Sequence, residues 1–199
     1  MTRLLAFSDL HLDLGAARAI VAEAAGADLV IGAGDFAVQR DGLAKIMPLF
    51  EPIAGKCLFV CGNAESPEEL REATSAEVLH GTSVRRNGLN IAGLGGAVPP
   101  LPKLSWPSYD IEEEAAADLL AKLDATDILI SHSPPLGVVD TVRSLGDRHI
   151  GSQAVADAAR RLTPQYLLCG HVHDCWGQSG QIGSTTVRNL GPRPTWLEV

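Results

Sequence analysis

Short apolar runs that alternate with helix-forming segments dominate the first part of this 199-residue chain. The runs over residues 4–7, 29–31 and 57–60 have the length of strands and are too short for buried helices. Helix signals lie between them, and the clearest is Ser66-Pro67 followed by Glu69, which has the form of a capping box with Pro at the first helical position. Strands alternating with helices in this way indicate βαβ units and a parallel sheet.

The remainder of the chain adds antiparallel elements to this pattern. Asn87-Gly88 separates two apolar runs and is a strong signal for a two-residue hairpin turn. Strands are predicted over 4–7, 29–31, 57–60, 84–86, 89–92, 127–130 and 166–169, helices over 16–25, 43–50, 67–74, 111–123 and 152–162, and short antiparallel strands over 175–199. We therefore expect one α/β domain over residues 1–199 that contains both parallel and antiparallel pairing.

Polar residues that can bind metal ions follow five of the predicted strands. They occur in the segments Ser8-Asp9-Leu10-His11, Gly34-Asp35, Gly62-Asn63, Ser131-His132 and Gly170-His171-Val172-His173. Functional sites of α/β sheets collect at the carboxyl ends of strands, so these side chains are expected at one rim. Asp9 and His11 lie two residues apart, and continued extension of the strand would place both on one face. The same reasoning applies to His171 and His173.

Each segment alone is weak evidence for a metal site. Asp-x-His is an ordinary loop pair, Gly-Asp and Gly-Asn are common in turns, and Ser-His-Ser-Pro suits a capped loop. All five segments in one chain, each after an apolar strand, favour the metal site over five separate turns. Imidazole, carboxylate and amide donors suit Mn, Fe, Co, Ni or Zn, and the sequence does not discriminate among these ions.

The order of these segments resembles the calcineurin-like metallophosphoesterases, whose pattern is Asp-x-His, Gly-Asp, Gly-Asn-His-Asp/Glu, a lone His and Gly-His-x-His. The resemblance spans residues 9–173 and implies an α/β fold with four layers, an αββα sandwich of two mixed β-sheets flanked by helices. It implies two divalent metal ions, with Asp35 bridging them. One ion would be held by Asp9, His11 and His173, and the other by Asn63, His132 and His171. It further implies in-line attack on phosphorus by a water that bridges the two metals.

The sequence departs from the family pattern at Gly62-Asn63-Ala64-Glu65. Many members carry a histidine at the position of Ala64, where it contacts the phosphate or protonates the leaving group. Glu65 is retained without the histidine that it might orient, and its simplest interpretation is a carboxylate that merely precedes a helix. General acid assistance is typically worth 10²–10⁴-fold, so we expect a phosphoesterase that favours acidic leaving groups and phosphodiesters over monoesters. The alternative is an interaction scaffold of the same fold with little activity.

Several residues remain as candidates for the missing role and for substrate contacts. His149 is a candidate substitute acid or a surface histidine, because it lies in a loop that leaves the His132 strand end. Arg148 beside it is a candidate for binding a substrate phosphate, together with Asn63, or is a solvated loop charge. Trp176 is a candidate wall of the site, and His80 is expected to be structural.

The net charge and the cysteines bear on which molecules the protein binds and on the cellular compartment in which it is expected. A net charge of −8 argues against a broad nucleic-acid footprint, which makes a nuclease the least favoured interpretation. The family resemblance implies a small phosphorylated substrate. The N-terminal apolar run is too short for a secretory signal and is interrupted by Asp9. No apolar stretch has the length of a membrane helix. The four cysteines lack CxxC spacing and are expected as free buried thiols, which points to a cytoplasmic protein.

Overall fold

The computed structural model describes residues 1–199. The helices are α1 (Leu14–Glu23), α2 (Leu43–Ile46), α3 (Pro67–Ala73), α4 (Glu113–Ala121) and α5 (Gln153–Leu162). The strands are β1 (Arg3–Phe7), β2 (Leu29–Ala33), β3 (Cys57–Val60), β4 (Glu77–Val78), β5 (Thr82–Arg86), β6 (Leu89–Leu94), β7 (Ile128–Ser131), β8 (Thr141–Val142), β9 (Arg148–His149), β10 (Tyr166–Cys169), β11 (Ser179–Ile182), β12 (Thr185–Asn189) and β13 (Thr195–Glu198).

Two mixed sheets form the centre of the fold. The first has the order β13-β1-β2-β3-β4, in which β1 to β4 run parallel and β13 joins β1 antiparallel. The second has the order β11-β12-β10-β7-β6-β5, with a parallel centre and an antiparallel strand at each edge. A small ribbon of β8 and β9 stands apart from both sheets. The mixed pairing expected from the sequence is confirmed.

Three apolar layers explain how the sheets and helices stack. In β1, Leu4 and Ala6 contribute to the layer between the two sheets, while Leu5 and Phe7 contribute to the layer beneath the first set of helices. A third apolar cluster joins the second sheet to α4 and α5. Because successive side chains of a strand point to opposite faces, a strand buried on both faces is apolar throughout, which is why the strand runs lack alternation. The resulting four-layer αββα sandwich confirms the predicted fold class.

The local signals were largely correct. The Ser66 side chain accepts from the Glu69 N–H and the Glu69 side chain accepts from the Ser66 N–H, so the predicted capping box is present. The Asn87-Gly88 turn joins β5 to β6 as predicted. The helix predicted over 43–50 was wrong in its second half, where a 3-10 turn over Met47–Leu49 replaces it. Pro48 explains the change, because it has no N–H to continue the helical hydrogen bonding.

Two further expectations concern the whole chain. All four cysteines are free and buried, as predicted. None of the helices combines the length and the apolar character that crossing a membrane requires.

Candidate metal centre

The loops that follow β1, β2, β3, β7 and β10 bring all seven predicted donor side chains together. Asp9, His11 and His173 form a first group, in which one ligand atom from each residue lies within 4.8 Å of the others. The Nε2 atoms of His11 and His173 are 3.2 Å apart, and His173 Nε2 is 3.7 Å from Asp9 Oδ1. Two imidazoles and a carboxylate therefore face one point beside the carboxyl ends of β1 and β10.

A second group forms next to the first. Asp35, His132 and His171 also place one ligand atom each within 4.8 Å of one another. Asn63 completes this group, because its Oδ1 lies 3.3 Å from His132 Nε2 and 3.1 Å from His171 Nδ1. Imidazole nitrogens with carboxylate and amide oxygens match the donor chemistry of divalent transition metals.

Asp35 lies between the two groups. Its Oδ2 is 3.5 Å from Nε2 of His11 in the first group and 3.5 Å from Nε2 of His132 in the second. Its Oδ1 instead accepts a hydrogen bond from the Ala64 backbone N–H at 2.9 Å. One carboxylate oxygen is thus held by the protein, and the other is directed toward both groups.

The backbone at these donors differs from the extended form that the sequence pattern suggested. Asp9 (φ 53°), His11 (φ 42°), Asp35 (φ 57°) and His171 (φ 67°) all occupy the left-handed region. The expectation that extension aligns Asp9 with His11, and His171 with His173, was therefore wrong. The strands end before the donors, and each loop turns sharply to direct its side chain inward. Non-glycine residues adopt this conformation at a cost that the surrounding structure must offset, and such residues cluster at functional sites.

Two motif glycines are required by close approach of other groups. A Cβ at Gly62 would overlap Oδ1 of Asp35, and a Cβ at Gly170 would overlap Oδ2 of Asp9. Only glycine leaves room for these carboxylates. This explains the Gly-Asn and Gly-His pairs in physical terms that the sequence pattern alone did not supply.

Glu65 is an anchor of the site, and its interpretation as a mere helix-proximal carboxylate was wrong. The side chain is fully buried. It accepts hydrogen bonds from the backbone N–H groups of Asp35 at 2.8 Å, Ala37 at 3.0 Å and Gly62 at 2.7 Å. Glu65 thereby ties the loop after β2 to the loop after β3, which carry Asp35 and Asn63.

Burial and the neighbouring charges shift the pKa values of Asp9, Asp35 and His132. Burial opposes ionisation of Asp35, but His132, His11 and the Ala64 N–H outweigh it and hold the pKa of this carboxyl below its usual value. Burial, together with the nearby Asp35 carboxylate, raises the pKa of Asp9. For His132, burial is outweighed by the carboxylates of Asp35 and Asp9, which raise its pKa to about 9. Two buried acids and several imidazoles in such proximity form a site suited to cations.

The orientation of two imidazoles suits metal binding. His132 Nδ1 lies 2.8 Å from the carbonyl oxygen of Ala33, so Nδ1–H donates there and Nε2 is directed into the site. Burial and the neighbouring His132 lower the pKa of His171 to about 3, which keeps its ring neutral, the form that binds a metal. The site therefore presents a neutral imidazole at His171 as well as carboxylates, and a metal ion would displace the Nε2 proton of His132.

No proton donor occupies the position after Asn63. Ala64 is 2% exposed, and its methyl group carries no hydrogen-bonding atom. The segment after β6 closes over this region, because Ser108 Oγ accepts from Asn63 Nδ2 and the Tyr109 N–H donates to the Asn63 carbonyl. The missing histidine is thus not replaced from within the same motif.

His149 and Arg148 lie at the edge of a cleft of about 520 Å³ that His171 also lines. His149 Nδ1 is 2.6 Å from Oδ1 of Asp140, a fully buried carboxylate. The other Asp140 oxygen accepts from the N–H groups of Gly137 and Gly151, so the aspartate organises the loop as well as the imidazole. The sequence reasoning identified His149 but missed its partner, although Asp140 follows the His132 motif by only eight residues.

Two further residues hold the first donor group. Trp176 donates from Nε1 to Asp9 Oδ2 at 3.2 Å, and its ring centroid lies 4.2 Å from that of His173, which agrees with the suggested wall of the site. Asn189 donates from Nδ2 to the carbonyls of Val139, Gly170 and Val172. It joins the loop of the two histidines to the loop that leads to Asp140, and no motif in the sequence identified it.

The chain is similar in sequence to one curated protein. It is 29% identical over 184 residues to UPF0046 protein K07C11.7 of Caenorhabditis elegans, a match that covers 81% of this chain and 61% of that protein. The chain thus spans less than two thirds of the length of this relative.

Two solved structures share the fold. One is the protein TT1561 of Thermus thermophilus, with a TM-score of 0.75, 21% identity and coverage of 96% of this chain and 89% of that chain. The other is a dimetal phosphatase from Danio rerio, with a TM-score of 0.63, 12% identity and coverage of 96% and 88%. The family pattern itself, the calcineurin-like phosphoesterase superfamily domain, matches residues 2–196. The chain therefore belongs to the calcineurin-like phosphoesterase superfamily.

Proposed function

We propose that this protein is a phosphoesterase that uses two divalent metal ions to hydrolyse small phosphorylated substrates, with phosphodiesters favoured over monoesters. The observation that carries the proposal is the position of Asp35 Oδ2, 3.5 Å from a histidine of each donor group. A carboxylate placed in this way suits a bridge between two cations. The fold shared with a dimetal phosphatase supports the same interpretation.

The proposed ligands divide as the two donor groups do. Asp9, His11 and His173 would hold one ion. Asn63, His132 and His171 would hold the other, with Asp35 shared. Two such ions, when bound, activate a water as nucleophile and neutralise charge that develops on the phosphoryl oxygens. The protein already holds Asn63 Oδ1 within 3.3 Å of His132 Nε2 and 3.1 Å of His171 Nδ1, so these three donors would reach one ion together.

The leaving group receives no proton from the Asn63 motif, because Ala64 carries no titratable atom. Substrates whose leaving group is itself acidic depend least on such help. We infer that aryl esters react faster than alkyl esters.

His149 is the proposed substitute for that proton donor, and Arg148 a proposed contact for a substrate phosphate. Both line the cleft that reaches His171. Asp140 occupies Nδ1 of the His149 ring at 2.6 Å, which orients the ring and leaves Nε2 without a hydrogen-bond partner in the protein. A histidine held by a buried carboxylate in this manner resembles the base and orienting group of many hydrolytic sites.

A scaffold without activity is the alternative, and burial of the donors argues against it. Asp9, Asp35, Asn63 and His132 are each at most 5% exposed. Burying charged groups destabilises a fold unless a partner or a metal compensates. An interaction surface has no physical need for this arrangement.

The experiment that tests the proposal begins with protein stripped of metal by a chelator. Mn²⁺, Fe²⁺, Co²⁺, Ni²⁺ and Zn²⁺ are added separately, the bound metal is counted by mass spectrometry, and hydrolysis of bis(p-nitrophenyl) phosphate and p-nitrophenyl phosphate is followed. We expect two bound ions for at least one metal and faster hydrolysis of the diester. Absence of turnover with every metal would contradict the enzyme and favour the scaffold.

A further inference from the structure

A cleft beside the candidate metal centre has a composition that the hydrolytic chemistry does not explain. It measures about 520 Å³ and reaches His171 at its inner end. One wall is the proline-rich stretch 99–102, and the other is the loop between β7 and α5, including Leu136 and Leu145. The volume falls in the range of sites for small organic ligands.

The apolar side chains of the cleft are unusually accessible. Leu136 is 37% exposed and Leu145 is 58% exposed, in a chain with only four other exposed large hydrophobic residues. Single exposed leucines scattered over a surface are ordinary, but these two line the same cleft, which is typical of a binding site. Pro99, Pro100 and Pro102 restrict the opposite wall, so the surface is formed before a ligand arrives.

The polar groups of the cleft limit what can bind there. Glu113 is already engaged, because its carboxylate accepts from Ser152 Oγ and from the backbone N–H groups of Gln153 and Ala154 at the start of α5. These hydrogen bonds occupy both oxygens of the carboxylate and close that helix terminus to an anion. Arg148 takes part in none of the ion pairs within the chain, so its guanidinium is available to a ligand.

We propose that this cleft binds an aromatic ester group of the substrate, an assignment that rests on the proposed phosphoesterase function. The phosphoryl group lies at the metal centre beside His171, and the ring enters the cleft between the prolines and Leu145. The face of the Arg148 guanidinium can stack on an aromatic ring while its N–H groups contact the phosphate, and its positive charge disfavours a cationic ester group. The substrate class is thereby narrowed to phosphoesters with an uncharged or anionic, ring-bearing organic group.

Calorimetric binding of three phosphonates to the full chain with Mn²⁺ tests the cleft without requiring turnover. The probes are benzylphosphonate, methylphosphonate and 2-aminoethylphosphonate, which share the anionic head and differ only in the organic group. Burial of a phenyl ring predicts that benzylphosphonate binds roughly tenfold more tightly than methylphosphonate. The aminoethyl compound is expected to bind no more tightly than the methyl compound.

Variants locate the effect in the cleft. Replacing both leucines, Leu136→Ser with Leu145→Ser, should reduce the preference for benzyl over methyl by roughly threefold, since less apolar area meets the ring. Leu104→Ser is the matched control, because Leu104 is 38% exposed but does not line the cleft, and the preference should persist.

Equal affinities for the three probes, no binding of any of them, or the same loss in the control variant would overturn the assignment. The outcome is separable from the proposed function. A preference for benzylphosphonate in a protein that hydrolyses no substrate would support the assignment of the cleft and contradict the proposed enzyme. Hydrolysis without a preference for benzylphosphonate would support the enzyme and contradict the assignment of the cleft.

Discussion

Glu65 Oε1 accepts the backbone N–H of Asp35 at 2.8 Å, and this bond connects the least obvious residue of the family motif to its central carboxylate. The same side chain accepts from Gly62 at 2.7 Å. Burial, together with the nearby Asp35 carboxylate, raises the pKa of Glu65 to about 7. A buried acid is retained here because several backbone donors have no other acceptor. Its function in this chain is to shape the site rather than to orient a histidine.

Substituting Glu65→Gln should therefore destabilise the protein. One amide oxygen cannot satisfy the donors of Asp35, Ala37 and Gly62, and the amide N–H₂ would face them. We expect a loss of about 2–3 kcal/mol in the free energy of unfolding, measured by urea denaturation. Glu68→Gln is the control, since the Glu68 side chain is 71% exposed and should be nearly neutral. Equal stability of the two variants would contradict the anchoring role.

His149→Gln tests the substitute acid through the leaving group. If His149 Nε2 protonates the departing oxygen, the rate on an alkyl ester should fall by about 10²-fold, and the rate on a p-nitrophenyl ester should change far less. The measurement is kcat/KM for a matched pair of methyl and p-nitrophenyl diesters. Asp140→Asn should reproduce the same selective loss in weaker form, because Asp140 positions the ring. A uniform loss on both esters would instead indicate a structural role.

Asn189→Ala should loosen two loops at once. The side chain donates to the carbonyls of Gly170 and Val172 beside the histidine pair and to Val139 before Asp140. Leaving these buried acceptors unpaired should cost about 1–3 kcal/mol. Hydrogen exchange should rise over residues 138–140 and 170–173 together. Asn90→Ala, which removes an exposed bond to Ala125, is the control. Faster exchange in one loop alone would refute the coupling.

His80 gives the protein a sensitivity to acid that does not involve the metal centre. Burial and the positive charge of Arg71 lower its pKa from the ordinary value of 6.5, and its Nδ1 accepts the Gly95 N–H, which requires an unprotonated nitrogen. As pH falls below about 6.5, the unfolded chain takes up a proton that the folded protein refuses, so stability falls. His80→Gln should lose less free energy of unfolding between pH 7.5 and 5.5 than the unsubstituted protein. An identical loss in both proteins would rule out this explanation.

The sequence predicts the donor residues of this site better than it predicts the backbone geometry and the contacts that position them. Asp9, His11, Asp35, Asn63, His132, His171 and His173 are all recoverable from order and from position after apolar strands. The left-handed backbone of Asp9, His11, Asp35 and His171 is not, because the two-residue spacing of Asp9 and His11 also fits an extended strand. This geometry is set by contacts between loops that are distant in the chain. For example, Gly62 has no side chain and so leaves room for the Asp35 carboxylate.

Residues whose contacts are distant in the chain could not be predicted either, because only the folded structure brings the partners together. Asn189 lies 19 residues after Gly170, and no local pattern indicates that it donates to that carbonyl. Asp140 lies close to a motif but depends on the β8–β9 ribbon to meet His149. In the fold, capping and turn signals located α3 and the β5–β6 hairpin, whereas the early end of α2 depended on one proline. Capping and turn signals, which act over a few residues, can thus be predicted from the sequence. Contacts that join separate loops, such as those of Asn189 and Asp140, cannot.

The most direct test of the central claim is the rate of Mn²⁺-dependent hydrolysis of bis(p-nitrophenyl) phosphate by Asp35→Asn. Loss of the shared carboxylate should remove several kcal/mol of transition-state stabilisation, or about 1,000-fold in kcat/KM. Asp41→Asn, an exposed aspartate six residues away, should retain the rate of the unsubstituted protein. A chelator-sensitive rate that collapses only in Asp35→Asn is the predicted result. Turnover that needs no metal, or that survives in Asp35→Asn, would contradict the two-metal centre.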